Sequence, residues 1–152
     1  MAQEKYQPDT PEKEIVFRYM TEGWGNGDLA LIDEVVDENV IDHDPFPGQK
    51  PGRAGWKQAA LMVRGMMPDL KIEIADMVQE NNRVTVRYLC VGTMTGEFQG
   101  KQPTNKPALI RGIGIEQIRQ GKMSETHRVL DINFDYAPTA DSNLPLWDTN
   151  KK

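Results

Sequence analysis

The chain has 152 residues, the length of one compact domain able to bury roughly two-thirds of the surface its unfolded form exposes. Eighteen basic against 23 acidic residues leave a net charge of −5, which supplies no attractive field for nucleic acid, and no stripe of Lys or Arg is interleaved with aromatics. A single cysteine, Cys90, excludes an intramolecular disulfide, no apolar run approaches the roughly 18 residues of a membrane span, and the first residues (MAQEKYQPDTPEKE) lack the basic-then-apolar order of a secretory signal. Small molecules are the expected partners, with neither nucleic acid nor membrane, and the cytoplasm is the expected setting.

Residues 1–10 are polar, contain Pro8 and show no periodicity, which predicts a loose arm. Thr10 then offers a cap, Pro11 the first helical position and Glu12 and Glu14 an acidic first turn. Ile15, Val16, Tyr19, Met20 and Trp24 recur at helical spacing, so a helix is expected through Trp24. Gly25-Asn26-Gly27-Asp28 is a stop followed by a new cap, and Leu29, Leu31, Ile32, Val35 and Val36 give a second, shorter helix, completing a helical hairpin.

Val40-Ile41-Asp42-His43-Asp44 predicts a brief strand running into an irregular loop rich in Pro and Gly. Arg53 to Met67 carries Trp56, Ala60, Val63 and Met67 at helical spacing and is closed by Pro68. From Leu70 the period changes to two: Leu70, Ile72 and Ile74, then Val84, Val86 and Tyr88, with Asn81-Asn82 as a hairpin turn. Strands over 108–119 and 122–134 follow, joined at Gln120-Gly121. Residues 11–135 are thus expected to be one domain and 136–152 a tail, with Leu144, Leu146 and Trp147 as its anchor. Three helices followed by a mostly antiparallel sheet predict an α+β fold, with the helices on one face of a strongly curved sheet that encloses a pocket.

Few residues fit a known catalytic pattern. The two histidines, His43 and His127, are 84 positions apart and in no ligand spacing, so no metal is expected. Gly112-Ile113-Gly114 lies inside a strand pattern without the third glycine and helix of a dinucleotide site, and reads as a bend in the sheet or room for a ligand. Neither Ser124 nor Ser142 sits in a nucleophile elbow. What remains is the last strand, where His127, Val129 and Asp131 share a face by alternation. A carboxyl group in an apolar pocket has its charged form disfavoured and becomes a proton carrier near neutral pH. Arg87, opposite in face to Val86 and Tyr88, reads as solvated, and Met62, Met66, Met67 and Met94 as core or pocket lining.

Several segments taken in order resemble the SnoaL-like polyketide cyclases, within the nuclear transport factor 2-like and ketosteroid isomerase-like fold group. They are Trp24-Gly25-Asn26-Gly27-Asp28, Val40 to Pro45, Pro51 to Gly55, Met67-Pro68-Asp69-Leu70, Gly92 to Phe98, Arg111-Gly112-Ile113 and Gly121-Lys122-Met123 leading to Asp131. The resemblance implies a cone-shaped α+β barrel, a homodimer, no cofactor, and a pocket aspartate on the last strand, here Asp131, acting as acid and base in aldol-type ring closure of a polyketide-like carbonyl compound. It also implies contacts to an apolar or aromatic carbonyl ligand from His43 and Trp24, with Tyr88, Arg111 and Met94 as further candidates. The chain departs from the family pattern where Gln117 stands at the position of an assisting histidine, and where His127 replaces a common tryptophan, placing a different imidazole beside Asp131. Two other readings stand beside a cyclase or related isomerase: a non-catalytic ligand-binding or dimerisation module of the same fold, and an epoxide hydrolase, for which Arg111 and Asp131 supply only two of three required residues.

Overall fold

The computed structural model describes residues 5–137. Helix α1 spans Pro11–Arg18, with the Thr10 hydroxyl accepting from the Lys13 backbone N–H at 3.1 Å, the cap its sequence predicts. The expected continuation to Trp24 is helical but wider: Tyr19–Trp24 forms a π-helical turn. Its looser pitch brings residues five apart over one another, and Trp24 Nε1 donates to the Tyr19 hydroxyl at 2.6 Å. Arg64 closes this end from a distance by donating to the Trp24 and Gly25 carbonyls.

Helix α2 (Leu29–Val35) starts at the Asp28 cap and passes directly into strand β1 (Val36–Asp42). The sequence reading placed Val36 in the helix and began the strand at Val40; Val36 is instead extended and fully buried, as a β-branched residue entering a sheet favours. Helix α3 covers Gly52–Met66, and strands β2 (Lys71–Glu80), β3 (Arg83–Thr93), β4 (Pro107–Arg119) and β5 (Lys122–Asn133) follow close to their expected bounds. Asn81 and the Gln120-Gly121 pair adopt positive φ in the two tight hairpin turns.

The sheet order is β1-β5-β4-β3-β2, antiparallel throughout except for the parallel pair β1 and β5. The helices cover one face, where Val16, Ile32, Trp56, Val63, Met66 and Met67 pack against Val84, Val86, Ile110 and Met123 to form the core. This is the expected α+β architecture. The other face is open and carries exposed Ile113, Ile115 and Val129. Met94 is fully buried in the core, and Arg87 points outward into an ion pair with Asp76. Tyr6, placed by sequence in a loose arm, packs its ring on Phe17 at 6.3 Å. The tail anchor at Leu144, Leu146 and Trp147 lies outside the described residues. No helix among the described residues is long and apolar enough to cross a membrane.

Candidate functional site

Alternation on β4 and β5 turns Ile110, Gly112, Gly114 and Glu116, and Thr126, Arg128 and Leu130, toward the helices. Ile110, Glu116, Thr126, Arg128 and Leu130, together with Tyr19, Trp24, Phe46, Trp56, Tyr88 and Cys90, line a cavity of about 40 Å³ between sheet and helices. The two glycines are what allow it to be lined by large polar groups. A Cβ on Gly112 would lie 2.5 Å from the Tyr88 hydroxyl oxygen, and one on Gly114 would lie 2.6 Å from Glu116 Oε1. The space in front of them is filled by the protein itself: they make room for a phenol and a carboxyl group.

The cavity wall is short of hydrogen-bond partners. Glu116 Oε2, Arg128 Nη2 and Trp56 Nε1 are buried and unpartnered, and all three residues border this one space. Buried polar groups are normally paired, so three orphans around one cavity mark a place built for a polar guest, and the volume admits water or a single oxygen-bearing group.

The charges explain how the wall is held. Arg128 Nη1 pairs with Asp42 Oδ2 at 2.9 Å, with side chains only 12% and 6% exposed. Asp42 also accepts from Gln49 Nε2 at 2.9 Å and from the Asp44 backbone N–H at 3.0 Å, so its oxygens are engaged. The Arg128 charge is therefore already balanced, and Glu116 has little to offset its own. Burial pushes the Glu116 carboxyl up to about 8, against a smaller opposing effect of its hydrogen bond to Thr126 and of Arg128. At neutral pH it is mostly an uncharged acid. Burial likewise raises the Tyr19 and Tyr88 phenols, and the Cys90 thiol to about 12, which leaves Cys90 an inert apolar group.

Of the residues singled out from sequence, Trp24 and Tyr88 line this cavity. Asp131 and His127 do share a face, as alternation predicts, but it is the outer one. Asp131 is 65% exposed and pairs with the equally outward Arg111 at 3.1 Å. Gln117 also lies on that face, paired across the ladder with Glu125. None of the four borders the cavity. Period-two spacing says which residues go together and not which side they take; here the inward set is Thr126, Arg128 and Leu130. His43 is stacked on His127 outside as well. Glu116 and Arg128 were missed because β4 is apolar on both faces, with Ile113 and Ile115 outward, so hydrophobicity does not distinguish its sides. The available signal was Gly112 and Gly114, two glycines at i−4 and i−2 from a carboxyl group.

A larger hollow of about 740 Å³ lies along β1 and the start of α3. It is an open groove in which Asp33 pairs with both Arg53 and Lys57. None of the buried unpartnered atoms found among the described residues borders it, so the small cavity is the stronger candidate.

A family model described as SnoaL-like polyketide cyclase matches residues 14–133. Among solved structures, a candidate polyketide cyclase of Bacillus cereus shares 28% identity at TM-score 0.70, covering 80% of this chain and 75% of that one. IdmH of Streptomyces antibioticus, described as a candidate polyketide cyclase, shares 24% at TM-score 0.68 over 79% and 91%. TsrD of Streptomyces laurentii shares 17% at TM-score 0.73 over 82% and 92%, a likeness of fold alone. No curated protein matches the chain.

Proposed function

The chain belongs to the SnoaL-like polyketide cyclase family, and from that premise we propose that it closes a ring in, or isomerises, a carbonyl compound by acid/base chemistry without a cofactor, using Glu116 in the role the family pattern suggested for Asp131. The observation that carries this reading is the convergence of three unpartnered polar atoms, on Glu116, Arg128 and Trp56, around one enclosed cavity.

A carboxyl group that titrates at about 8 is roughly one-tenth ionised at pH 7, and that fraction is a far stronger base than an ordinary carboxylate. It takes a proton from a carbon flanked by two carbonyls. The enolate oxygen so formed is held by the Arg128 Nη2 and Trp56 Nε1 donors, which have no other partner. The enolate carbon attacks a second carbonyl of the same molecule, the new carbon–carbon bond forms, and the alkoxide recovers the proton from the neutral Glu116 acid. Only the reacting oxygen occupies the cavity as it stands; the rest of the substrate displaces Trp24, Phe46 and Leu130, the partly exposed apolar members of the lining.

The experiment follows deuterium exchange at the methylene of a β-diketo ester in D₂O, by NMR. The wild-type protein is expected to accelerate exchange and Glu116→Gln to abolish the acceleration; equal exchange by both removes Glu116 as the base. A ligand-binding module without catalysis predicts saturable binding of the ester with no exchange at all. The expected homodimer is part of the same reading. Ile113, Ile115 and Val129 leave the outer face apolar, and Ile113→Glu should convert a dimer to a monomer in sedimentation velocity.

A further inference from the structure

The parallel pairing of β1 with β5 joins residues that the sequence holds far apart. Ile41 pairs with Glu125 and Asp42 with Thr126, and the His43 backbone N–H donates to the Thr126 carbonyl at 3.0 Å. His43 therefore sits beside Glu125 and His127, whose side chains leave the outer face of the sheet. The His43 and His127 rings stack with centroids 3.9 Å apart and planes within 3°. His43 Nε2 is 2.5 Å from Glu125 Oε1, and His127 Nε2 is 3.9 Å from the same oxygen.

We propose that His43, Glu125 and His127 form a binding site for a divalent transition-metal ion, zinc in the first instance, with two imidazole nitrogens and one carboxylate oxygen as ligands and water in the fourth position. One ligand atom from each residue lies within 4.8 Å of the others. Ligand atoms around a tetrahedral zinc at 2.0–2.1 Å are about 3.3 Å from one another, a value lying between the two measured separations. The side chains are 37%, 35% and 58% exposed, so the two rings are free to turn out of their parallel stack, as their in-plane lone pairs require to meet one ion, without disturbing the core.

The donor set is right for zinc in kind as well as distance, since imidazole suits it and a carboxylate completes a singly charged ligand group. The backbone beneath is firm: two ligands stand on β5, and the third follows β1 on a turn fixed by Asp44, which accepts from the Arg128 backbone N–H at 2.8 Å. This site is separate from the cavity. Thr126, between the two β5 ligands, points inward to Glu116. A bound ion would tie β1 to β5 at the start of the loop carrying Phe46, one of the cavity's lining residues.

The test is a calorimetric titration of tag-free protein with zinc chloride at pH 7.5, paired with cobalt(II) chloride followed by visible absorption. One ion per chain is expected, with cobalt showing the intense bands of four-coordinate geometry. Glu125→Gln and His127→Asn should each weaken binding at least tenfold. Because both positions are on the surface, circular dichroism should show the variants folded and melting as the metal-free wild type does. At a zinc concentration a hundredfold above the wild-type Kd, the wild-type Tm should rise by roughly 5–10 °C and the variants' by no more than about half as much. Absence of binding by the wild type overturns the proposal and leaves a stacked histidine pair hydrogen-bonded to Glu125. Unchanged binding in both variants overturns it too, since the ion then sits elsewhere.

Discussion

Replacing Glu116 by Gln tests the buried acid without any knowledge of the substrate. In the unfolded chain the carboxyl ionises at its ordinary value of 4.5, whereas in the folded protein it does so at about 8. Between those values the unfolded state releases a proton that the folded state keeps, so stability falls as pH rises across the window. The loss is absent below about pH 4.5 and complete above about pH 8, where it reaches on the order of 5 kcal/mol, with roughly 3 kcal/mol already gone at pH 7. Gln has the shape of the neutral acid and cannot ionise, so the variant should equal the wild type near pH 4.5 and exceed it progressively above. Urea unfolding of both proteins at pH 5, 6, 7, 8 and 9 measures the difference, in which contributions common to the two proteins cancel. A difference that does not change with pH would refute the raised acid, and one that grows toward low pH would reverse the sign of the argument.

Other perturbations separate the cavity from the outer face. Arg128→Met leaves Asp42 buried without its cation and should cost about 3–5 kcal/mol in urea unfolding, most of it recovered when Asp42→Asn is added. Gly112→Ala drives a methyl group into the Tyr88 ring and should cost about 1–3 kcal/mol by the same assay. Asp131→Asn breaks only an exposed pair with Arg111 and should change stability by no more than about 0.5 kcal/mol. In catalysis, kcat/KM should rise with pH along a single limb with its midpoint at about 8, and Glu116→Gln should remove that limb.

The elements were legible because their signals are local. Thr10-Pro11 caps α1, Asp28 caps α2, and the switch to alternation after Leu70 marks the sheet. The π-helical turn was not legible, because Tyr19 and Trp24 also fit an ordinary helix; only the bond between their side chains distinguishes the two. The site was half legible for a different reason. Trp24 and Tyr88, both singled out in the sequence, do line the cavity, yet the choice between Asp131 and Arg128 depends on which side of β5 faces the helices. The outer face mixes Ile113, Ile115 and Val129 with charged residues while the inner one carries Glu116 and Arg128, so neither side shows the clean alternation that would settle the choice. The pairing of His43 with His127 is a consequence of parallel strand order, which residue spacing does not encode.

The measurement that bears most directly on the account is the turnover of a poly-β-carbonyl methyl ester, followed by loss of the open-chain compound, for the wild type, Glu116→Gln and Asp131→Asn side by side. The account predicts cyclisation by the wild type and by Asp131→Asn at comparable rates, and a loss of at least a hundredfold in Glu116→Gln. Loss in Asp131→Asn with Glu116→Gln still active would contradict it, and would move the chemistry from the cavity to the outer face of the sheet.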